Sequence, residues 1–204
     1  LNLGDDVLDE LESAVQEGLD DLDANRRDRM TWLFTQLNSD ASGRRQRAID
    51  RIRSVCQRYP DLLEMAAPKL ADCLDRDEDA MRRSSAEALR RLSEDHASAL
   101  TETTDALLLG LRDDNPAIRM ESARALERIE RETEDAELLD EVVDTLASLL
   151  VGQTTLFSRG PVAGLVGEVG RRRPEVIGPA LQPLVDFVDG SSGLGSSTSG
   201  LGRS

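Results

Sequence analysis

Apolar residues recur along this chain with the period of a helix, and the helical pattern itself repeats. An Arg stands at Arg45, Arg82, Arg119 and Arg159, at intervals of 37, 37 and 40 residues. Four positions later come Ile49, Ala86, Ala123 and Ala163, seven later Ile52, Leu89, Leu126 and Val166, and ten later Val55, Leu92, Ile129 and Val169. Steps of four, three and three place these side chains on one stripe of a helix. The recurrent Ala lets a neighbouring helix approach near the short end of the usual spacing of about 8–10 Å. A second stripe follows each first one: Leu63, Leu100, Leu139 and Ile177; Leu70, Leu107, Leu146 and Leu184; Leu74, Leu111, Leu150 and Val188. Leu33 and Leu37 hold the same phase one period upstream.

Each period therefore predicts two amphipathic helices, over roughly 43–58/60–75, 80–94/97–112, 117–133/136–151 and 158–171/174–189. A preceding pair, about 4–22 and 24–38, completes the array. Pro60 and Pro174 stand at the start of second helices, where proline is tolerated. Pro68, Pro179 and Pro183 lie deeper and should kink or break theirs. A single pair of this size cannot bury its apolar faces, whereas stacked neighbours can. The expected fold is all-α: an α-solenoid, a right-handed superhelix of about five antiparallel pairs over 1–189. The units fall at about 4–38, 43–75, 80–112, 117–151 and 158–189. Residues 190–204, GSSGLGSSTSGLGRS, read as a flexible Gly/Ser-rich tail or linker.

Residues 111–129, LRDDNPAIRMESARALERI, and residues 74–92, LDRDEDAMRRSSAEALRRL, agree at nine of nineteen positions without a gap. The phrase L-x-D-x-N-P-x-I-R-x-x-x-A-x-A-L at Leu111 to Leu126 resembles the HEAT repeat, including its shorter lyase-type variant. The resemblance covers about residues 25–189. It implies that the linker Asp and Arg residues form ladders of hydrogen bonds joining one repeat to the next. By matching position those roles fall to Asp113 or Asp114 with Arg119, to Asp77 with Arg82, and to Arg45. Acids ahead of a helix also suit its free N–H groups and its dipole. The last unit departs: its linker VGQTTLFS has no acid, and its first helix carries Gly160, Gly164, Gly167 and Gly170. Either that unit is a worn terminal cap or it packs unusually close to something.

Composition sharpens the picture in one respect. Acids outnumber bases 40 to 25 for a net charge of −15, and Lys69 is the sole lysine. That balance resembles proteins of salt-accumulating, haloarchaeal-like halophiles, in which dense carboxylates keep the surface hydrated. Only five aromatics occur, so the core must be aliphatic. Cys56 and Cys73 fall on apolar faces and read as buried free thiols, which a reducing, cytoplasmic interior suits. No apolar run approaches the roughly 20 residues of a membrane span.

Chemistry is hard to find. His96, the only histidine, stands in a predicted helix end. One His excludes His-built metal clusters and disfavours triad catalysis. The glycines of GLVGEVG at 164–170 lack the spacing of a phosphate loop. DRDED at 75–79 lacks the central Gly and correctly placed Glu of a calcium loop. No catalytic, metal or cofactor-binding residue is expected, and no cofactor.

Charge, by contrast, is segregated. First helices are Arg-rich, and second helices carry acids: Glu102 and Asp105 recur one unit on as Glu141 and Asp144. The HEAT resemblance implies that second helices line a concave surface, so these four would make an acidic strip. The expected function is a non-catalytic protein–protein interaction scaffold that takes an Arg-rich or basic segment of a partner there. One alternative is nucleic-acid binding through the Arg-rich helices, as the resemblance to HEAT-like DNA glycosylases permits. The net charge, the scarce aromatics and the salt sensitivity of phosphate contacts disfavour it. A lyase or chaperone-type accessory role is a further, weaker alternative.

Overall fold

The computed structural model describes residues 24–152, together with 166–167, 169–178, 180–182 and 185–186. The tail at 190–204, Ala163, and the predicted helix 4–22 lie outside the described residues. Helix α1 covers 24–36. Three complete pairs follow. The first joins α2 (Ser42–Arg58) to a 3₁₀ turn (Pro60–Leu62), α3 (Leu63–Asp72) and a second 3₁₀ turn (Cys73–Asp75). The next joins α4 (Asp79–His96) to a 3₁₀ stretch (Ala97–Thr103) and α5 (Thr104–Leu111). The last joins α6 (Pro116–Thr133) to α7 (Ala136–Gly152). Helical turns within 166–186 continue the array, and no strand occurs among the described residues. The chain is an all-α helical-repeat solenoid.

The stripes set this stacking. Ile49, Ile52, Ala86, Leu89, Leu92, Ala123, Leu126 and Ile129 are all buried, as are Leu63, Leu70, Leu100, Leu107, Leu139 and Leu146. They belong to one continuous cluster from Met30 to Ala180, so each pair shares its core with the next. Burial, with a smaller push from the charge of Asp61, raises the Cys56 thiol to about 12. Burial raises that of Cys73 as well.

Local signals fix the ends. Asn115 caps α6, its Oδ1 accepting from the Ala117 N–H at 2.8 Å, with Pro116 at the first helical position. Glu134 stops the same helix in the left-handed conformation at φ 55°. The Asp135 carboxylate accepts from the Leu138 N–H at 3.0 Å and starts α7. Second helices are less regular than expected, since the helix predicted over 97–112 begins as seven residues of 3₁₀ turn.

Pro68 corrects another expectation, because α3 runs through it without a break. The acceptor that loses its donor there is the carbonyl of Glu64, an exposed residue that water reaches. Pro179 and Pro183 lie outside the described residues. Of the four late glycines, Gly160 and Gly164 also lie outside. A Cβ at Gly170 would come within 2.8 Å of Ile177, whereas one at Gly167 would meet nothing within 4 Å.

Candidate interaction surfaces

The recurrent Arg is the joint between units. Its guanidinium donates backwards to carbonyls of its own linker and sideways to an acid of the next linker. Arg45 donates to the Ser39 carbonyl and holds Glu78, with Nε at 2.7 Å. Arg82 donates to the Arg76 and Asp77 carbonyls, each at 2.9 Å, and its Nε lies 2.7 Å from Asp113. Arg119, itself buried, donates to the Asp113 and Asp114 carbonyls at 2.6 and 3.0 Å. Asp77 and Asp114 thus take part through their carbonyls, and the Asp113 carboxylate serves the preceding Arg rather than Arg119. Arg119 Nε has no hydrogen-bond partner among the described residues.

Glu78 was not singled out by the repeat, because it sits two positions along from the counterpart of Asp113. Its carboxyl is held below the usual carboxylate range, first by the Ser42 hydroxyl and then by Arg45. It therefore does not cap α4 through its side chain. A parallel rung runs from the Asn115 side chain to Asp79, at 2.9 and 3.1 Å. Two of the four acids of DRDED, Glu78 and Asp79, thereby serve joints between units.

The arginines of α4 and α6 are largely engaged with acids, whereas Arg44, Arg47 and Arg51 of α2 are exposed and form no ion pair among the described residues. Arg90 pairs with Glu94 and, across to α6, with Glu121, both at 2.5 Å. Arg128 reaches back to Glu94 at 3.5 Å, and Arg131 pairs with Glu127 at 2.7 Å. Glu127 and Glu130, both buried, hold Arg172 of the following unit, and Glu130 also holds Arg173. Glu94 is kept below the usual carboxylate range by Arg90.

Second helices differ in kind. Glu102, Asp105, Glu141 and Asp144 are all exposed. None of their carboxylates forms an ion pair among the described residues. They are not equivalent in setting: Glu102 sits in the 3₁₀ stretch and Asp105 in the first turn of α5, whereas Glu141 and Asp144 lie within α7. Glu102 also lines a groove of about 340 Å³ between successive second helices, with Asp61 and Glu64 on its opposite wall and Leu63, Pro68 and Ala99 among its apolar residues. No basic side chain lines it. Asp61 and Glu64 escaped the sequence reading because the next unit carries Ser98 and Thr101 at their positions, although Glu137 and Asp140 restore acids one unit further on. Leu109, four positions after Asp105, is 57% exposed.

Among the described residues no group of three or more His, Cys, Asp or Glu side chains is placed to hold a metal ion, and none of their helices is long and apolar enough to cross a membrane. His96 ends α4, half-buried.

No family model and no curated protein matches the chain. Solved structures do. A designed armadillo repeat protein superposes with a TM-score of 0.57 at 17% identity, over 76% of this chain and 72% of its own. Two engineered proteins from structural genomics behave alike. One has a TM-score of 0.55 at 19% identity over 83% of this chain and 72% of its own. The other has 0.56 at 18% over 78% and 69%. At these identities the likeness concerns the fold, and the fold is that of a helical-repeat solenoid.

Proposed function

We propose that this chain is a non-catalytic interaction scaffold of HEAT type, which takes a basic, Arg-rich segment of a partner protein along its second helices. The observation that carries the reading is the division of charge. Arg82, Arg90, Arg91, Arg128 and Arg131 of α4 and α6 are paired with carboxylates, while Glu102, Asp105, Glu141 and Asp144 stand exposed without an ion pair among the described residues, Glu102 on the wall of an acid-lined groove. Guanidinium groups pair bidentately with carboxylates, which makes Arg the fitting counterpart. Each exposed pair contributes only about 0–1 kcal/mol. Apolar contacts such as those offered by Pro68 and Leu109 must then supply most of the affinity, and the acids set register and choice of partner.

Nucleic-acid binding by the Arg-rich helices is the weaker reading, because Arg82, Arg90, Arg128 and Arg131 are already engaged with carboxylates, and the unpaired arginines of α2 stand in a chain of net charge −15 that repels a polynucleotide. The test is binding of the full chain to a short Arg-rich peptide containing one Leu, repeated with Glu102→Gln, Asp105→Asn, Glu141→Gln and Asp144→Asn combined. Binding that weakens severalfold supports the strip, and unchanged affinity removes its residue-level support.

A further inference from the structure

Of the three seams between units that α1 to α6 form among the described residues, the second and third are built alike and the first differs. In register, Arg44, Ala48 and Arg51 of α2 correspond to Met81, Ser85 and Ala88 of α4 and to Ile118, Ser122 and Ala125 of α6. All six of the later residues are buried. They face the preceding second helix: a Cβ added at Gly110 of α5 would lie 3.1 Å from Ser122 Cβ and 3.9 Å from Ile118. The first seam has Gln36 where the third has Gly110, and arginines where the later seams have Met and Ala, or Ile and Ala. It stays open as a cavity of about 440 Å³ lined by Trp32, Leu33, Gln36, Arg44, Arg47, Ala48 and Arg51.

Two further features set this place apart. Trp32, the only tryptophan, is 60% exposed on its edge. Arg44, Arg47 and Arg51 are exposed, and none forms an ion pair among the described residues, in a chain where 40 acids face 25 bases. They stand three and four positions apart on one helical face, spanning about 10 Å, so they repel one another. Their stems extend the apolar floor while the charged heads stay in water.

We propose that this open seam docks an acidic segment of a partner protein. One bulky apolar side chain of that segment lies against Trp32, Leu33 and Ala48, where the later seams place Met81 or Ile118 of their own chain. Flanking carboxylates pair with Arg44, Arg47 and Arg51. The later seams identify what the first one lacks, an apolar side chain, and the unpaired arginines identify the charge of its bearer. A long polynucleotide is disfavoured, since the acidic surface of the rest of the molecule would repel it. The site is opposite in sign to the second-helix strip and stands or falls separately from it.

Trp32 is its own reporter. The full chain is titrated with a short Asp/Glu-rich peptide carrying one central Leu, and indole emission is followed. Saturable movement of the emission to shorter wavelength is expected, together with loss of the response when the peptide's Leu is Ser. Arg47→Glu with Arg51→Glu should weaken binding about tenfold or more, as for lost charge-assisted contacts. Arg44→Met with Arg51→Ala, which installs the residues of the closed second seam, should fold normally by circular dichroism and bind at least as weakly. The proposal is overturned if emission does not respond, if both variants bind as the parent does, or if a short single-stranded oligonucleotide binds more tightly than the peptide. Residues 1–23 contain nine acids and no base and could fill the seam themselves. If Asp5→Asn, Asp6→Asn and Asp9→Asn together shift the emission of the free chain, the occupant is internal and the partner site is refuted.

Discussion

Arg82 concentrates the logic of the repeat in one side chain. It satisfies two carbonyls of its own linker and one carboxylate of the next, and Asp113 is only 9% exposed. Replacing it with Ala leaves those acceptors without their donor. The expected loss is about 1–3 kcal/mol, below that of a fully buried pair because Arg82 keeps some solvent contact. Arg83→Ala, one residue on and exposed, is the control and should stay within about 0.5 kcal/mol. Chemical denaturation of both variants checks this. Glu78 adds a pH dependence to the preceding joint. Its folded pKa lies below the ordinary 4.5, so its contribution is complete above that value and is lost as pH falls through the lower folded one. Ser42→Ala removes the leading cause of the depression. It should therefore move acid unfolding to higher pH, read by circular dichroism from neutral pH downward.

At the scale of the elements, much was legible because a period of 37 residues superimposes apolar positions that a single helix would leave ambiguous. Ile52, Leu89 and Leu126 all turned out buried at the position the stripe assigned them. What stayed hidden was what crosses between units. The ladder Arg could be picked out, but its acid could not. Glu78 and Asp113 reach equivalent arginines from different linker positions, because a longer side chain compensates for a shifted backbone. The open first seam was invisible for the opposite reason. Arg44 and Arg51 read only as members of an Arg-rich first helix until Met81, Ala88, Ile118 and Ala125 show that their position is buried in the later units. The third seam makes the complementary prediction. Gly110 lies so close to Ser122 that a Cβ there meets both Oγ and Cβ of a buried residue fixed to its helix backbone. Gly110→Ala should overpack the seam by about 1–3 kcal/mol despite the better helix propensity of Ala. Combining it with Ser122→Ala should recover part of the loss, because the Oγ clash goes and the contact with Cβ remains. A double-mutant cycle in thermal unfolding measures that coupling.

For the whole molecule the two kinds of surface respond to salt in opposite directions. Ion pairs such as Arg90–Glu121 and Arg82–Asp113 lose attraction as salt rises, but they are partly shielded from solvent, which limits screening. The unpaired carboxylates of the second helices repel one another and are fully open to counterions. Around them the chain carries a net charge of −15. Screening acts over about 10 Å at 0.1 M salt and over shorter distances above that, so exposed repulsion is removed before the shielded joints weaken. The fold should therefore gain stability between low and molar KCl, most steeply at the low end. Neutralising Glu102, Asp105, Glu141 and Asp144 should raise the melting temperature in low salt and flatten the salt response, since these acids supply part of the repulsion being screened. Calorimetric scans of the parent and the neutralised chain across KCl concentrations measure both effects. A melting temperature that falls with salt in the parent would mean that the joints, rather than the acidic faces, dominate the electrostatics of the solenoid.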